Sequence, residues 1–289
     1  MKTCGFTIVR NAVKYDYPVV ESITSILPVC DEFIVLVGDS EDDTTGLIRG
    51  IGSDKIRIVP STWDDSLKEG GRVLSVETNK AFDLIPAGYD WAFYLQADEV
   101  VHEKYLDPIR DAMTEFLDDP RVEGLLLKYL HFYGTYRYTG DSRRWYRNEI
   151  RVIRNDKSIR SHLDAQGFRK NGEKLRVKPV NAFVYHYGWV KNPRTMQTKL
   201  VDFHKLWHDE EWIRDNVVSS ELFDYSMVDS LSLFEGTHPA VMLGRIKETD
   251  WKLDLDLHKK KFGLRDRFLH LVEEMTGRRL FEYKNYRII

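Results

Sequence analysis

Cysteine is nearly absent: Cys4 and Cys30 are the only two in 289 residues. They form no CxxC pair, so a disulfide framework and a cysteine-based zinc site are both excluded, and the two thiols fit a reducing cytosol. Long apolar runs are also missing. No stretch approaches the ~18 uninterrupted apolar residues of a membrane span. The N-terminal Met1-Lys2-Thr3-Cys4-Gly5-Phe6-Thr7-Ile8-Val9 meets a charge at Arg10 before a signal-peptide core can form. A cytoplasmic protein is the expectation. No sign of charge dominates: 43 Lys+Arg against 46 Asp+Glu leave −3, which gives no bulk electrostatic case for nucleic acid as a partner. No Gly-x-x-x-x-Gly-Lys loop follows a strand, and Gly-x-Gly-x-x-Gly is absent after the first apolar run. Both absences argue against a P-loop NTPase and an NAD-type Rossmann enzyme. Internal repeats and Pro/Gly/Ser linkers are lacking, so one continuous body is expected.

What is present is a 42% hydrophobic, 31% charged chain long enough for one or two domains with a real core. Phe6–Val9, Phe33–Val37, Ile56–Val59 and Trp91–Leu95 read as strands. Helical spacing separates them at about Tyr17–Leu27, Thr45–Ile51 and Val73–Ile85. Near-continuous apolar strands alternating with helices imply an α/β fold with a mostly parallel central sheet covered on both faces. Right-handed crossovers then gather the strand C-termini on one edge, where ligands bind in open α/β sheets. Further along, a helix is expected over Glu103–Leu117. Strands are expected at Gly124–Leu130, Ile150–Ile153 and Ala182–Tyr187, and another helix at Thr195–Trp207. Leu264, Phe268, Leu271, Val272 and Met275 mark a last amphipathic helix. From His258 to Ile289 nine Lys/Arg face four Asp/Glu, a local +5 that leaves −8 elsewhere. Such a tail is suited to anionic lipid or is simply a solvated helix face.

The sharpest chemical signal is Tyr94-Leu95-Gln96-Ala97-Asp98-Glu99-Val100. A hydrophobic strand that stops at paired carboxylates delivers them to the ligand edge. A hard dication often binds through one or two carboxylates, with phosphate oxygens and water completing its shell. Capping of the helix near Glu103 is the alternative for Asp98, and spacing alone leaves both open. His204 and His208 share a helix face, but Lys205 stands where a zinc protease carries its glutamate, which excludes that chemistry.

The ordered set of these segments resembles family 2-like GT-A glycosyltransferases over about the first 190 residues. Ile8-Val9-Arg10-Asn11-Ala12 looks like their first strand and turn. Asp39-Ser40-Glu41-Asp42-Asp43-Thr44 is similar to the acidic loop after their second strand. Gly70-Gly71-Arg72 and Thr78-Asn79-Lys80-Ala81 look like the segment before their metal motif. Gln96-Ala97-Asp98 stands where they carry Asp-x-Asp, with the last aspartate retained and the first replaced by an amide.

The resemblance implies a GT-A-like, Rossmann-like core over residues 1–190. Within it, about 1–100 would bind a UDP- or GDP-sugar, and about 101–190 would supply the acceptor side and the metal-ligand strand. Residues 191–289 form a helical C-terminal extension packed on that core. It implies an inverting, metal-dependent transfer of a sugar to a glycan or lipid-linked acceptor. Mn2+ or Mg2+ at Asp98 would stabilise the diphosphate leaving group. His186, in Val184-Tyr185-His186-Tyr187-Gly188-Trp189, resembles the histidine that returns to the metal; a histidine satisfied among three rings is the alternative. Arg10, Asn11, Asp39, Arg72, Asn79 and Gln96 are donor-side candidates. Helix capping is the competing role for Asp42 and Asp43. Asp164 is the candidate base, with Glu149, His162 and Asp141 as competitors and a solvated loop carboxylate as the alternative.

Between Arg137 and Arg160 eight Lys/Arg against three Asp/Glu are interleaved with Tyr138, Trp145 and Tyr146, which suits a phosphorylated or sugar acceptor. The basic C-terminal region offers a peripheral contact at the inner face of a membrane. Two other functions share the scaffold. A sugar nucleotidyltransferase would carry a Gly-rich basic signature after the first strand, where this chain has Arg10-Asn11-Ala12-Val13-Lys14. A non-catalytic nucleotide-sugar or glycan binder is raised by Gln96.

Overall fold

The computed structural model describes residues 1–67, 71–205, 210–216, 220–258 and 260–289. Gly70, the Trp207 end of the expected helix and His208 lie outside the described residues. The first third alternates as the periodicity requires: β1 (Thr3–Val9), α1 (Val19–Ile26), β2 (Glu32–Val37), α2 (Thr44–Arg49), β3 (Ile56–Pro60), α3 (Arg72–Asp83) and β4 (Trp91–Tyr94). Then follow β5 (Glu99–Val101), α4 (Leu106–Glu115), β6 (Gly124–Tyr133), β7 (Thr135–Gly140), β8 (Asn148–Arg154), β9 (Ile159–His162), β10 (Gly167–Lys170), β11 (Glu173–Lys174) and β12 (Arg176–Trp189). The remainder holds α5 (Pro193–His204), α6 (Glu210–Asn216), β13 (Leu231–Leu233), α7 (Leu243–Lys247), α8 (Leu264–Thr276) and β14 (Arg287–Ile288).

Side chains of the first strands alternate between two helix-covered layers, which is why these strands read as unbroken apolar runs. Phe33, Val35 and Val37 pack with Ile23 and Ile26 of α1 and Met113 of α4. Ile34 and Leu36 face the other way, with Phe6, Tyr94 and Phe82 of α3. Burying each such side chain contributes ~1.5–3 kcal/mol against leaving it in water. Strands β3, β2, β1 and β4 are mutually parallel, so their C-terminal ends share one edge.

Beyond β4 the sheet is mixed rather than mostly parallel. β8 pairs antiparallel with β4 and β6, β7 with β6, and β13 with β7, while β12 runs parallel to β6. The cause is connectivity. A single residue, Gly134, separates β6 from β7, and a tight connection of that kind reverses the chain instead of crossing it over. Strands β9, β10 and β11 form a separate small antiparallel sheet.

The last hundred residues are fastened to the core by more than helices. β13 and β14 join the main sheet, and α5 walls the strand-end cleft. Helix α5 starts at Pro193, whose missing N–H costs nothing at that position, and the Asn192 side chain caps it by accepting from Arg194 N at 3.0 Å. Helix α8 forms where its spacing predicts, but with its apolar stripe turned outward. Leu269 and Glu273 are its buried residues, while Leu264, Phe268, Leu271 and Met275 are exposed. Three guanidiniums, from Arg143, Arg147 and Arg279, converge on the Glu273 carboxylate. That ionic anchor, rather than the apolar stripe, sets the helix's rotation. No helix among the described residues is long and apolar enough to cross a membrane.

Candidate functional site

A cleft of about 650 Å³ opens along the shared strand-end edge. Its floor is the end of β1 (Val9, Arg10, Asn11) and the turn after β4 (Gln96, Ala97, Asp98). His186 and Gly188 of β12, Lys199 and Asp202 of α5, and Tyr146 and Asp164 complete its lining. Of the residues expected from sequence, the structure thus brings Arg10, Asn11, Gln96, Asp98, Asp164 and His186 to one cavity. Asp39, Arg72 and Asn79 are not part of its lining.

The carboxylate pair divides its work. Glu99 points into the core, fully buried, where Arg151 grips it with two bonds of 2.8 and 2.7 Å. Tyr129 donates to it at 2.7 Å, and so does Gln96 N at 3.0 Å. A charge-assisted, bidentate buried pair of this kind holds the 96–99 turn in one geometry. Asp98 is consequently presented to the cleft on a rigid support.

Pairing across the sheet then delivers His186. β12 lies between β5 and β6, placing His186 opposite Glu99 on one side and opposite His131 on the other. His186 Nε2 stands 3.8 Å from Asp98 Oδ1. Its tautomer follows from the neighbours. His131 Nε2 is 2.8 Å from the Tyr146 carbonyl, which only accepts, so that nitrogen carries the proton. Burial foremost, and His186 beside it, push the His131 pKa down to about 3, so its Nδ1 is a bare acceptor. His186 Nδ1, 3.1 Å away, must donate to it. Burial lowers the His186 pKa too, against the pull of Asp98, leaving Nε2 a free lone pair facing the carboxylate.

Two lone-pair donors converging in this way, with the histidine's other nitrogen held by a neighbour, could hold a divalent cation. Room for one is kept by Gly188. A Cβ there would lie 2.6 Å from both Asp98 Oδ2 and His186 Nε2. Among the described residues no group of three or more His, Cys, Asp or Glu side chains gathers to hold a metal. A cation held here would have only these two side chains from the described residues and would need the rest of its shell from phosphate and water.

Pattern reading missed two cations beside them. Lys199 Nζ is 3.5 Å from Asp98 Oδ2 and donates to the Gly188 carbonyl at 3.1 Å. Lys191, fully buried, donates to Asp16 O at 2.8 Å. Both ammonium groups lie over Tyr17, at 4.7 Å for Lys191 and 4.9 Å for Lys199. Burial pushes the Asp98 carboxyl up, but the positive charges around it, from His186 in the acid range where that ring is protonated and from Lys199 and Lys191, outweigh it, so its pKa falls below the ordinary value. Burial lowers both lysine pKa values. Their only sequence signal was position, Lys191 just past a strand end and Lys199 on an amphipathic helix.

Asp164 occupies the β9–β10 turn between Leu163 at φ 54° and Ala165 at φ 62°. Two non-glycine residues in the left-handed region flanking one carboxylate are a costly local arrangement of the sort found at functional sites. Its competitors sit elsewhere. Asp141 is bound by Lys260 at 2.7 Å and Ser232 at 2.7 Å. His162 and Glu149 line an adjoining cavity with Asp164.

The other donor-side candidates are largely engaged. Arg10 donates to Asp65 at 2.8 Å and lies 3.6 Å from Asp39. Asn11, at φ 57°, accepts from Glu41 N at 2.7 Å, tying the first turn to the acidic loop. Asp43 caps α2 through Gly46 N at 2.9 Å, and Asp42 accepts from Lys14 N at 2.6 Å, so helix and loop bonding accounts for both. Asn79 pins α3 to β9 by accepting from Ser161 N at 2.8 Å. Arg72 is exposed in the first turn of α3.

No family model matches the chain, and no curated protein matches it. Several solved structures are similar. One is Staphylococcus aureus TarS, 15% identical with a TM-score of 0.40, over 70% of this chain and 38% of that one. Another is the 4-diphosphocytidyl-2C-methyl-D-erythritol synthase of Anaerococcus prevotii, 12% identical with a TM-score of 0.39, over 70% of this chain and 94% of that one. A third is the Mycobacterium tuberculosis glucosyl-3-phosphoglycerate synthase solved with Mg2+ and UDP, 18% identical with a TM-score of 0.31, over 45% of this chain and 43% of that one. The chain thus spans well under two thirds of the length of the first and third of these.

Proposed function

We propose that the protein is a metal-dependent glycosyltransferase of GT-A type, moving a sugar from a UDP- or GDP-sugar to a glycan or lipid-linked acceptor with inversion. The observation that carries this reading is the convergence of Asp98 and His186 across a space that Gly188 keeps clear, at the strand-end edge of an α/β sheet. Mn2+ or Mg2+ held by these two would act as a Lewis acid on the diphosphate leaving group. Gln96 and Asn11 line the floor where the nucleoside and ribose would lie, and the amide of Gln96 can bond a hydroxyl. Lys199 adds a positive charge to the same lining, where negative charge develops as the sugar–diphosphate bond breaks. Asp164, on the lining of the same cleft, takes the acceptor hydroxyl proton as the oxygen attacks the anomeric carbon, and the departing nucleoside diphosphate keeps the bonding pair.

Outward exposure of Leu264, Phe268, Leu271 and Met275, one stripe along α8 with Arg265 and Arg267 on its shoulders, supports peripheral contact with an anionic membrane surface.

The test is titration of UDP- and GDP-sugars with and without Mn2+, followed by assay of donor hydrolysis and transfer. Metal-dependent binding and turnover are expected. Failure of every nucleotide-sugar to bind, with or without metal, would overturn the reading.

A further inference from the structure

Beside the cleft lies a second cavity of about 520 Å³, which shares Tyr146, Asp164 and Gln166 with it. Six arginines line it: Arg143, Arg144, Arg147, Arg169, Arg265 and Arg279. They come from the β7–β8 connection, β10, α8 and the segment after α8, so only the folded chain assembles them. Arg143, Arg147 and Arg279 converge on the buried carboxylate of Glu273, and Arg279 also reaches Glu282 at 3.5 Å, leaving three guanidiniums against two carboxylates. Arg169 is bonded only to neutral oxygens, Asn285 O at 2.8 Å and Tyr283 Oη at 3.2 Å among them. Arg144 and Arg265 make no ion pair among the described residues.

One acidic group here does not oppose a bound anion. Glu149 is 3% exposed, and its Oε2 is buried with no hydrogen-bond partner. Burial above all pushes its carboxyl up to about 8, so at neutral pH it is a donor in search of an acceptor oxygen. The cavity therefore combines guanidinium forks lacking carboxylate partners with a buried, unmatched proton donor. Exposed Phe281 and Tyr283 on its rim offer faces for a sugar ring.

We propose that this cavity is the acceptor subsite, built for a phosphate-bearing acceptor whose anion is held by Arg144, Arg169 and Arg265 while its hydroxyl reaches Asp164 on the shared rim. This rests on the glycosyltransferase reading of the cleft, and it narrows the acceptor class to phosphorylated saccharides. Guanidinium suits the role because its planar fork matches phosphate oxygens and is weakly hydrated. The phosphate could belong to a soluble phosphosugar or to a lipid pyrophosphate. Arg265 lies on the same helix as the exposed apolar stripe, which makes the distinction measurable.

The test uses the full chain with Mg2+ and saturating UDP, so that the cleft is filled. Binding of glucose 6-phosphate, and of farnesyl pyrophosphate in detergent, is followed by calorimetry in the native protein and in an Arg144→Gln/Arg265→Gln variant. Both side chains are exposed, so folding is not at stake. At least one ligand should bind the native protein and weaken ~10-fold or more in the variant, as expected for losing charge-assisted bonds. Glucose itself should not bind. Preference for the farnesyl ligand assigns a lipid-linked source, and preference for the phosphosugar a soluble one. Unchanged phosphate affinity in the variant, or equal binding of glucose, would overturn the proposal. If UDP itself fails to bind while the arginine variant still loses phosphate affinity, the donor reading fails and the acceptor role with it, leaving an anion site of another function.

Discussion

Replacing Gly188 by alanine adds one methyl group between the two groups on which the proposed chemistry depends. The new Cβ would sit 2.6 Å from Asp98 Oδ2 and from His186 Nε2, where ordinary contact begins at 3.4 Å, so each must retreat by about 0.8 Å. Neither moves freely. His186 is held through its other nitrogen by His131 at 3.1 Å, and the Asp98 turn is locked by the Glu99–Arg151 pair. Overpacking of this kind costs ~1–3 kcal/mol of stability, a fall that thermal unfolding resolves while the fold survives. Functionally the loss should be larger, because a ligand pair displaced by about 1 Å lowers turnover by ~10²-fold. Mn2+ affinity by calorimetry should fall in parallel. Gly188 carries no left-handed backbone angle, so the substitution acts through space rather than through strain. An alanine variant that keeps native Mn2+ affinity and native turnover would refute the assignment of this space to the cation and the diphosphate.

Four further outcomes follow from the same geometry. Arg151→Ala leaves the Glu99 carboxylate buried without its partner and should cost ~3–5 kcal/mol in urea unfolding; a loss under ~1 kcal/mol would mean the pair does not support the turn. Because burial raises the Glu149 pKa from 4.5 to about 8, its penalty is absent below the lower value, grows as pH rises between the two, and is complete above the higher. Glu149→Gln should flatten that decline by roughly 1.4 kcal/mol per pH unit, and parallel stability curves for the two proteins would contradict it. Asp164→Asn should lower kcat by ~10²-fold with donor KM unmoved, whereas retained kcat passes the role to His162. Leu264→Asp with Phe268→Asp should abolish co-sedimentation with vesicles rich in anionic phospholipid, and undiminished sedimentation would place the membrane contact elsewhere.

Legibility in the sequence tracked how local the deciding interaction is. Val35 and Ile34 announce a two-sided sheet because alternate residues of one strand bury toward opposite helix layers, a fact of period two. Asp98 was legible because a hydrophobic strand ending in acids needs no distant partner to be noticed. Glu99 beside it looked equivalent, and only Arg151, fifty-two residues on, makes it a structural group. His131 escaped notice because its function lies in the nitrogen it turns toward His186 across a strand pair. Lys199 was hidden in a helix whose spacing says nothing about the carboxylate at the end of its side chain.

Helix α8 shows the limit in the other direction. Its heptad-like stripe of Leu264, Phe268, Leu271 and Met275 reads as a core-facing surface, yet the salt-bridged Glu273 turns it to solvent. Strand order, the apolar alternation, the capping aspartate of α2 and the acidic end of β4 are written in neighbouring residues, because backbone periodicity and short-range hydrogen bonds decide them. Which carboxylate faces the cleft, which imidazole nitrogen carries the proton, and how six separated arginines share one cavity depend on groups that meet only when β12 lies between β5 and β6 and α8 packs beside the β7–β8 connection. Those long-range encounters set burial and charge, and burial and charge decide the chemistry.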